Sequence, residues 1–244
     1  MKEGTATRKR CREVSLFGIR ARSMTGCLAL LLSELWFTVF VDAARAQSSP
    51  REQYIPVLCV TAEKDPVAMV TSILVLFAKR DDAGGLEVHF ITGPGRFSQK
   101  TQAATAQAIT RAARALGLST DSWSVGLSVL DPGVIIDGDS LSAMLGLTVG
   151  AMAKGESIPR NRVITGTITS DGRIGPVGGV ALKVTAAHQA GLHMILVPAT
   201  AYSKWKTPSL RQVLPVGSVS QAYQALTAPD SPEFHRRRSL AGVG

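Results

Sequence analysis

An α/β fold is the class this sequence predicts, with helices packed on a small mixed sheet and βαβ elements within it. Two observations carry that prediction. Strand-like runs rich in β-branched and apolar residues, at 54–61, 86–91 and 123–130, are separated by segments with helical periodicity at 98–116 and 143–154; alternation of this kind builds sheets covered by helices. Clusters such as Thr92-Gly93-Pro94-Gly95 and Ser170-Asp171-Gly172-Arg173 punctuate the runs and mark turns.

In chain order, the polar, Pro-containing run 47–53 reads as a linker and 54–61 as the first strand. Apolar content alone leaves 67–79 open between helix and strand, and its Val, Thr, Ile and Phe residues favour strand. Arg80-Asp81-Asp82-Ala83-Gly84-Gly85 is a turn signal, so 67–79 and 86–91 are expected to form a hairpin. Ser98 can cap a helix that runs through Ala103, Ala106, Ala113 and Leu116 to a stop at Gly117. Lys100, Gln102, Arg111 and Arg114 mark its solvated face. Residues 123–130 alternate as a strand, and 143–154 form a helix whose glycines favour close packing. A turn at 158–161, a strand at 162–169 and the turn at 170–173 follow. Residues 174–179 then lead into the helix that carries Lys183 and ends at Gly191. A final strand is expected at 193–198 and a last helix at 218–226.

The 244 residues carry a formal net charge of +9, which raises the question of nucleic acid. Much of the excess lies at the two ends, in Arg8-Lys9-Arg10, Arg12, Arg20 and Arg22 and in His235-Arg236-Arg237-Arg238. The middle of the chain lacks the interleaved aromatic and basic residues of a nucleic-acid face, so no nucleic-acid partner is expected. The four histidines, His89, His188, His193 and His235, have no paired ligand spacing. Gly93-Pro94-Gly95 is not followed by Gly-Lys-Ser/Thr, so it is no phosphate loop. No metal and no other cofactor is expected.

Residues 1–46 read as an export signal: a basic leader, an apolar core at 27–41, and Ala44-Arg45-Ala46 as a small-x-small cleavage site. About fifteen apolar positions interrupted by Glu34 are short of the roughly twenty that span a bilayer. Cleavage after Ala46 is the favoured reading, and an uncleaved membrane anchor is the alternative; Met24 is an alternative start to Met1. The mature protein is then exported to the periplasm or secreted. Cys11 and Cys27 leave with the signal, and Cys59 remains as a small buried hydrophobe on a strand. The domain proper is expected over 54–228, followed by a disordered basic tail at 229–244.

The chemistry-bearing stretch lies between Asp137 and Lys183. A serine hydroxyl needs a base to act as a nucleophile, and a lysine that has lost its proton can serve without histidine. Ser140 falls just before the glycine-studded helix, where free backbone amides and the helix dipole favour developing negative charge.

These residues resemble the proteolytic domain of Lon proteases. That family's serine loop reads Asp-Gly-Pro-Ser-Ala-Gly, and its lysine follows a Thr-Gly-Glu-Ile-Thr strand and a Pro-Ile-Gly-Gly turn. Asp137-Gly138-Asp139-Ser140, Thr165-Gly166-Thr167-Ile168-Thr169 and Pro176-Val177-Gly178-Gly179 stand in those places. Lys183 follows Ser140 by 43 residues, the interval the family uses. Ala186-Ala187-His188, Ala190-Gly191-Leu192 and Ile195-Leu196-Val197-Pro198 continue the match, which covers roughly residues 57–226. The resemblance implies the Lon proteolytic-domain fold, with Ser140 as nucleophile and Lys183 as general base. It further implies Thr165 beside the lysine, Asp137 shaping the serine loop, polypeptide substrates and a ring-shaped homo-oligomer. The absence of Walker motifs from the sequence implies ATP-independent cleavage of unfolded or flexible chains. The sequence departs from the pattern at Asp139 for Pro, Leu141 for Ala, Ser142 for Gly and Thr167 for an acidic residue. The serine loop is therefore bulkier and more acidic, and the Asp139 carboxylate favours a protonated Lys183. The alternative reading is a catalytically weak or inactive relative that keeps the fold as a binding or assembly module.

Overall fold

The structure is a computed structural model that describes residues 50–61, 64–202 and 213–229, all within one unit, Gln47–Gly244. The expected signal segment and all but the first residue of the expected tail lie outside the described residues. Among the described residues, no helix is long and apolar enough to cross a membrane.

The architecture is α/β, as expected, but it holds two principal sheets rather than one. The larger has four strands in the order β1-β2-β5-β3. Its members are β1 (Arg51–Val60), β2 (Ala68–Lys79), β3 (Glu87–Ile91) and β5 (Trp123–Val129). β1 pairs antiparallel with β2, β2 antiparallel with β5, and β3 parallel with β5. The hairpin is thus β1 with β2, with Ile55 opposite Ile73 and Val57 opposite Thr71. The expected pairing of 67–79 with 86–91 is a correction. β5 lies between these two strands, because β3 reaches it through the crossover helix α1 (Gln99–Ala115), and a parallel pair requires such a crossover. Arg51, Glu52 and Gln53, read as linker, are the first rungs of β1, paired with Phe77, Leu76 and Val75. Polarity hid them because one end of this strand is solvated.

The second sheet has three parallel strands in the order β11-β10-β7. They are β7 (Arg162–Ile164), β10 (Met194–Pro198) and β11 (Val213–Val216). Residues 194–198 are therefore not the final strand; a short helix α4 (Ala199–Tyr202) follows, and β11 lies beyond it. Two ribbons complete the fold: β4 (Arg96–Phe97) with β6 (Ile135–Ile136), and β8 (Thr167–Ile168) with β9 (Ile174–Gly175). The expected single strand over 162–169 is in fact β7 and β8, which pair in different sheets. Between them the Thr165 amide still donates to the Leu196 carbonyl of β10 at 3.0 Å, and Gly166 leaves the ladder to hold the serine loop.

At the centre lies α2 (Ser142–Ala153), buried on every side from Ser142 to Met152. Its composition explains this placement, since a helix apolar all round has no solvent face to offer. α1 crosses it closely: a Cβ on Gly146 would stand 2.7 Å from the Ala108 carbonyl oxygen. Ile73, Val75, Phe77, Val125 and Leu127 from the large sheet, with Ile109 and Ala112 from α1, close the main core around α2. A second core joins α3 (Val180–Gln189) to the three-stranded sheet through Val180, Val184, Ala187, Val163, Ile195 and Val197, and to β1 through Leu58. The last helix, α5 (Val219–Thr227), is capped by Ser218 and tied to β7 by the buried Arg162. That guanidinium donates to the carbonyls of Ala225, Leu226 and Ala228 at 3.0, 3.0 and 2.6 Å.

Candidate active site

The serine loop, residues 137–141, joins β6 to α2 and is fastened at both ends. On the α2 side, the Gly166 amide donates to the Ser140 carbonyl at 2.8 Å, and the Ala143 amide donates to the Gly166 carbonyl at 3.1 Å. No room exists for a side chain at Gly166, because its Cβ would meet Ile174 Cγ2 at 2.8 Å. The glycine of Thr165-Gly166 thus breaks the strand so that its backbone can clasp the loop. On the β6 side, Ser98, which caps α1, donates to Asp137 Oδ1 at 2.5 Å, and the buried Thr101 hydroxyl donates to the Gly138 carbonyl at 2.8 Å. Gly138 has a φ of 114°, a conformation that L side chains rarely adopt.

Lys183 approaches from the second core. Gly179 enters α3 in the left-handed region, with φ of 66°, and packs so closely on β1 that a Cβ there would stand 3.1 Å from Val60 Cγ2. Lys183 follows in the first turn of α3 and is only 3% exposed. Its Nζ stands 2.7 Å from Ser140 Oγ and 3.3 Å from Thr165 Oγ1. The Thr165 hydroxyl, itself buried, also lies 3.3 Å from the Ser140 carbonyl oxygen. The structure therefore brings Ser140, Lys183 and Thr165 into direct contact.

Burial is the largest influence on Lys183 and pushes its pKa below the ordinary lysine value, because desolvation penalises the cation. A Cys59 thiolate and the Asp139 carboxylate act the other way and favour the ammonium, but they do not reverse the direction. Asp139 is exposed and its backbone carbonyl accepts from the Ser142 amide at 3.0 Å. Leu141 and Ser142, the bulkier departures, turn inward and are 3% and 2% exposed, so their volume fills the core rather than the approach to Ser140.

Three contributors to this arrangement went unread in the sequence. Thr101 looks like any helix threonine, Gly166 like one more residue of the 162–169 strand motif with no sign of its clasp, and Cys59 like a core residue. Cys59 is half-buried on β1 and its thiol pKa is raised, first by burial and against the influence of Lys183. The β1–β2 pairing brings it opposite Met69. Only the meeting of β1 with α3 makes it a neighbour of the lysine, and no local pattern encodes that meeting. Among the described residues, no group of three His, Cys, Asp or Glu side chains is placed to hold a metal ion.

Comparison with protein families matches residues 95–227 to the Lon protease (S16) C-terminal proteolytic domain. The chain belongs to that family. The match takes in α1, the serine loop, α2, the clasp at Gly166, α3 and the three-stranded sheet, and so covers every residue of the Ser140–Lys183–Thr165 cluster. Among individual relatives, Lon protease 2 of Sorangium cellulosum is 32% identical over 130 residues, covering 51% of this chain and 16% of that protein. Lon protease of Desulforamulus reducens is 31% identical over 78 residues, covering 32% of this chain and 10% of that protein. Lon protease 1 of Thermus thermophilus is 37% identical over 62 residues, covering 25% and 8%. The matched part of the chain thus spans a sixth or less of the length of these relatives.

Proposed function

We propose that this chain is a serine endopeptidase in which Ser140 is the nucleophile and Lys183 the general base. The observation that carries the reading is the 2.7 Å approach of a buried lysine amine to a serine hydroxyl. A neutral amine has a lone pair to accept the hydroxyl proton, and burial favours that neutral form. Ser140 Oγ attacks the substrate carbonyl carbon while Lys183 Nζ takes its proton. The tetrahedral intermediate collapses, the scissile C–N bond breaks, and Lys183 gives the proton to the leaving amine. Water, deprotonated in turn by Lys183, then attacks the acyl ester, the bond to Ser140 Oγ breaks, and Lys183 returns the proton to Ser140 Oγ as the acid product leaves. The Thr165 hydroxyl holds the amine in line, and the N-terminal end of α2 offers the developing oxyanion the favourable end of the helix dipole, although its Ser142 and Ala143 amides are engaged by the Asp139 and Gly166 carbonyls. Asp137, bonded to Ser98, shapes the loop.

The substrates we propose are unfolded or flexible polypeptides cleaved without nucleotide. The layout proposed with it is an export signal or anchor at 1–46, the proteolytic domain to residue 228 and a basic tail, with the working protein exported. Ring assembly of several copies is proposed from family likeness alone. The test is to offer the purified full chain unfolded casein with and without ATP. Equal cleavage in both supports the reading. Cleavage only with ATP removes nucleotide independence, and no cleavage in either favours a binding module that has kept the fold.

A further inference from the structure

We infer that Thr101 is a positioning residue for the nucleophile, a role that rests on the Ser140–Lys183 reading above. Thr101 lies in the first turn of α1, 1% exposed, and its side chain reaches the serine loop rather than its own helix. Its Oγ1 is 2.8 Å from the Gly138 carbonyl oxygen, 3.1 Å from the Ile136 carbonyl oxygen and 3.1 Å from Ser98 Oγ.

The Ser98 proton is committed first. Ser98 Oγ accepts from the Thr101 amide at 3.2 Å and spends its one proton on the Asp137 carboxylate at 2.5 Å, which can only accept. The Thr101 proton then has three acceptors within reach, Ser98 Oγ and the Ile136 carbonyl at 3.1 Å each and the Gly138 carbonyl at 2.8 Å, and the Gly138 carbonyl is the nearest. The Ile136 carbonyl has a second donor in the Ser98 amide at 2.9 Å, whereas the Thr101 hydroxyl is the one donor recorded for the Gly138 carbonyl among the described residues.

That carbonyl is the critical one. Gly138 is held at a φ of 114°, two residues before the nucleophile, and the space around its Cα is open. Sterics therefore do not fix the turn, and the conformation depends on what binds its peptide group. Thr101 supplies this at the β6 end while Gly166 clasps the Ser140 carbonyl at the other. With both in place, Ser140 Oγ is held within reach of Lys183 Nζ. Losing the Thr101 donor leaves the half-buried Gly138 carbonyl without that partner and frees the turn to rotate, and a displacement of about 1 Å at a nucleophile can cost roughly a hundredfold in rate.

The experiment compares Thr101→Val, nearly isosteric but without a donor, with Thr101→Ser, which restores the hydroxyl, in steady-state cleavage of unfolded casein by the full chain. Thr101→Val is expected to lower kcat roughly ten- to hundredfold with KM within about twofold, and Thr101→Ser to keep kcat within about threefold. A Thr101→Val enzyme with undiminished kcat, or a Thr101→Ser enzyme as impaired as the valine variant, overturns the role. If Thr101→Val does not fold, Thr101→Ala takes its place. Turnover that survives Ser140→Ala defeats the dyad reading separately. In that case, or if the wild type is inactive, the inference is read from the NMR titration of the Lys183 side chain: a midpoint that moves in Thr101→Val supports it, and one that stays put overturns it.

Discussion

Lys183 Nζ and Ser140 Oγ meet at 2.7 Å although 43 residues separate them in the chain. The contact is built by two cores: α2 and its packing set the serine, while α3 against the three-stranded sheet sets the lysine. Gly166 binds the two by leaving the sheet between β7 and β8. Any change that shifts one core against the other is therefore expected to act on the site.

The pH dependence follows from the burial of Lys183. The base must be neutral, so activity is expected to rise with pH through a midpoint below the ordinary lysine value of 10.5. A pH profile of kcat/KM for a small peptide substrate checks this. An alkaline limb centred at or above that value would contradict a desolvated base.

Asp139 modulates the same midpoint. Its carboxylate favours the ammonium, so Asp139→Asn is expected to move the limb to lower pH and to raise activity near neutrality. Asp139 is exposed, so screening keeps the effect small, and added salt should reproduce part of it in the wild type. Asp139→Pro is expected to raise activity in the same direction. Unchanged or lower turnover in both variants would show that the aspartate does not restrain the site.

The same burial makes Lys183 costly to the fold. A lysine whose folded pKa is lowered binds fewer protons folded than unfolded between that pKa and 10.5, so stability rises with pH through the window and the full penalty is present below it. Lys183→Met is expected to abolish this slope and to raise Tm at neutral pH by about 2–4 °C, the shift that about 1 kcal/mol gives a domain of this size. Calorimetry from neutral to alkaline pH measures both.

Gly166 has no tolerance for a side chain. Gly166→Ala places a methyl group 2.8 Å from Ile174 Cγ2, an overpacking that costs about 1–3 kcal/mol, and pulls the clasp away from Ser140. Lower Tm together with lower kcat is expected. Leu141→Ala offers a contrast: it opens a cavity in the main core and should cost about 2–4 kcal/mol, while the residue itself points away from the approach to Ser140.

Much of this was legible in the sequence because it is local. Ser98 before an alanine-rich run gives a capped helix, the all-apolar stretch after Leu141 gives a buried one, and Gly172 and Gly191 close a turn and a helix where their positive φ is needed. The order and spacing of the serine loop, Thr165-Gly166 and Pro176-Val177-Gly178-Gly179 marked the residues that meet. Partnership between strands was not legible. Nothing in 86–91 says that it pairs with β5 rather than β2, because both neighbours offer the same alternating apolar face and only the α1 crossover decides. β11 was missed because four residues including Pro215 carry too weak a pattern. Thr101 was missed because a buried hydroxyl in a helix has no sequence signature; its partners, the Ile136 and Gly138 carbonyls, are contributed by the backbone, not by side chains.

The most direct measurement is casein cleavage by the full chain, without nucleotide, set beside Ser140→Ala and Lys183→Met, with folding of each variant verified by its thermal transition. A Ser-Lys dyad requires that both variants stay folded and that each loses at least about a hundredfold in kcat, with the double variant no worse than either single one, since residues acting as a unit are not additive. Cleavage that persists in either single variant would contradict the pairing of Ser140 with Lys183 as the catalytic centre.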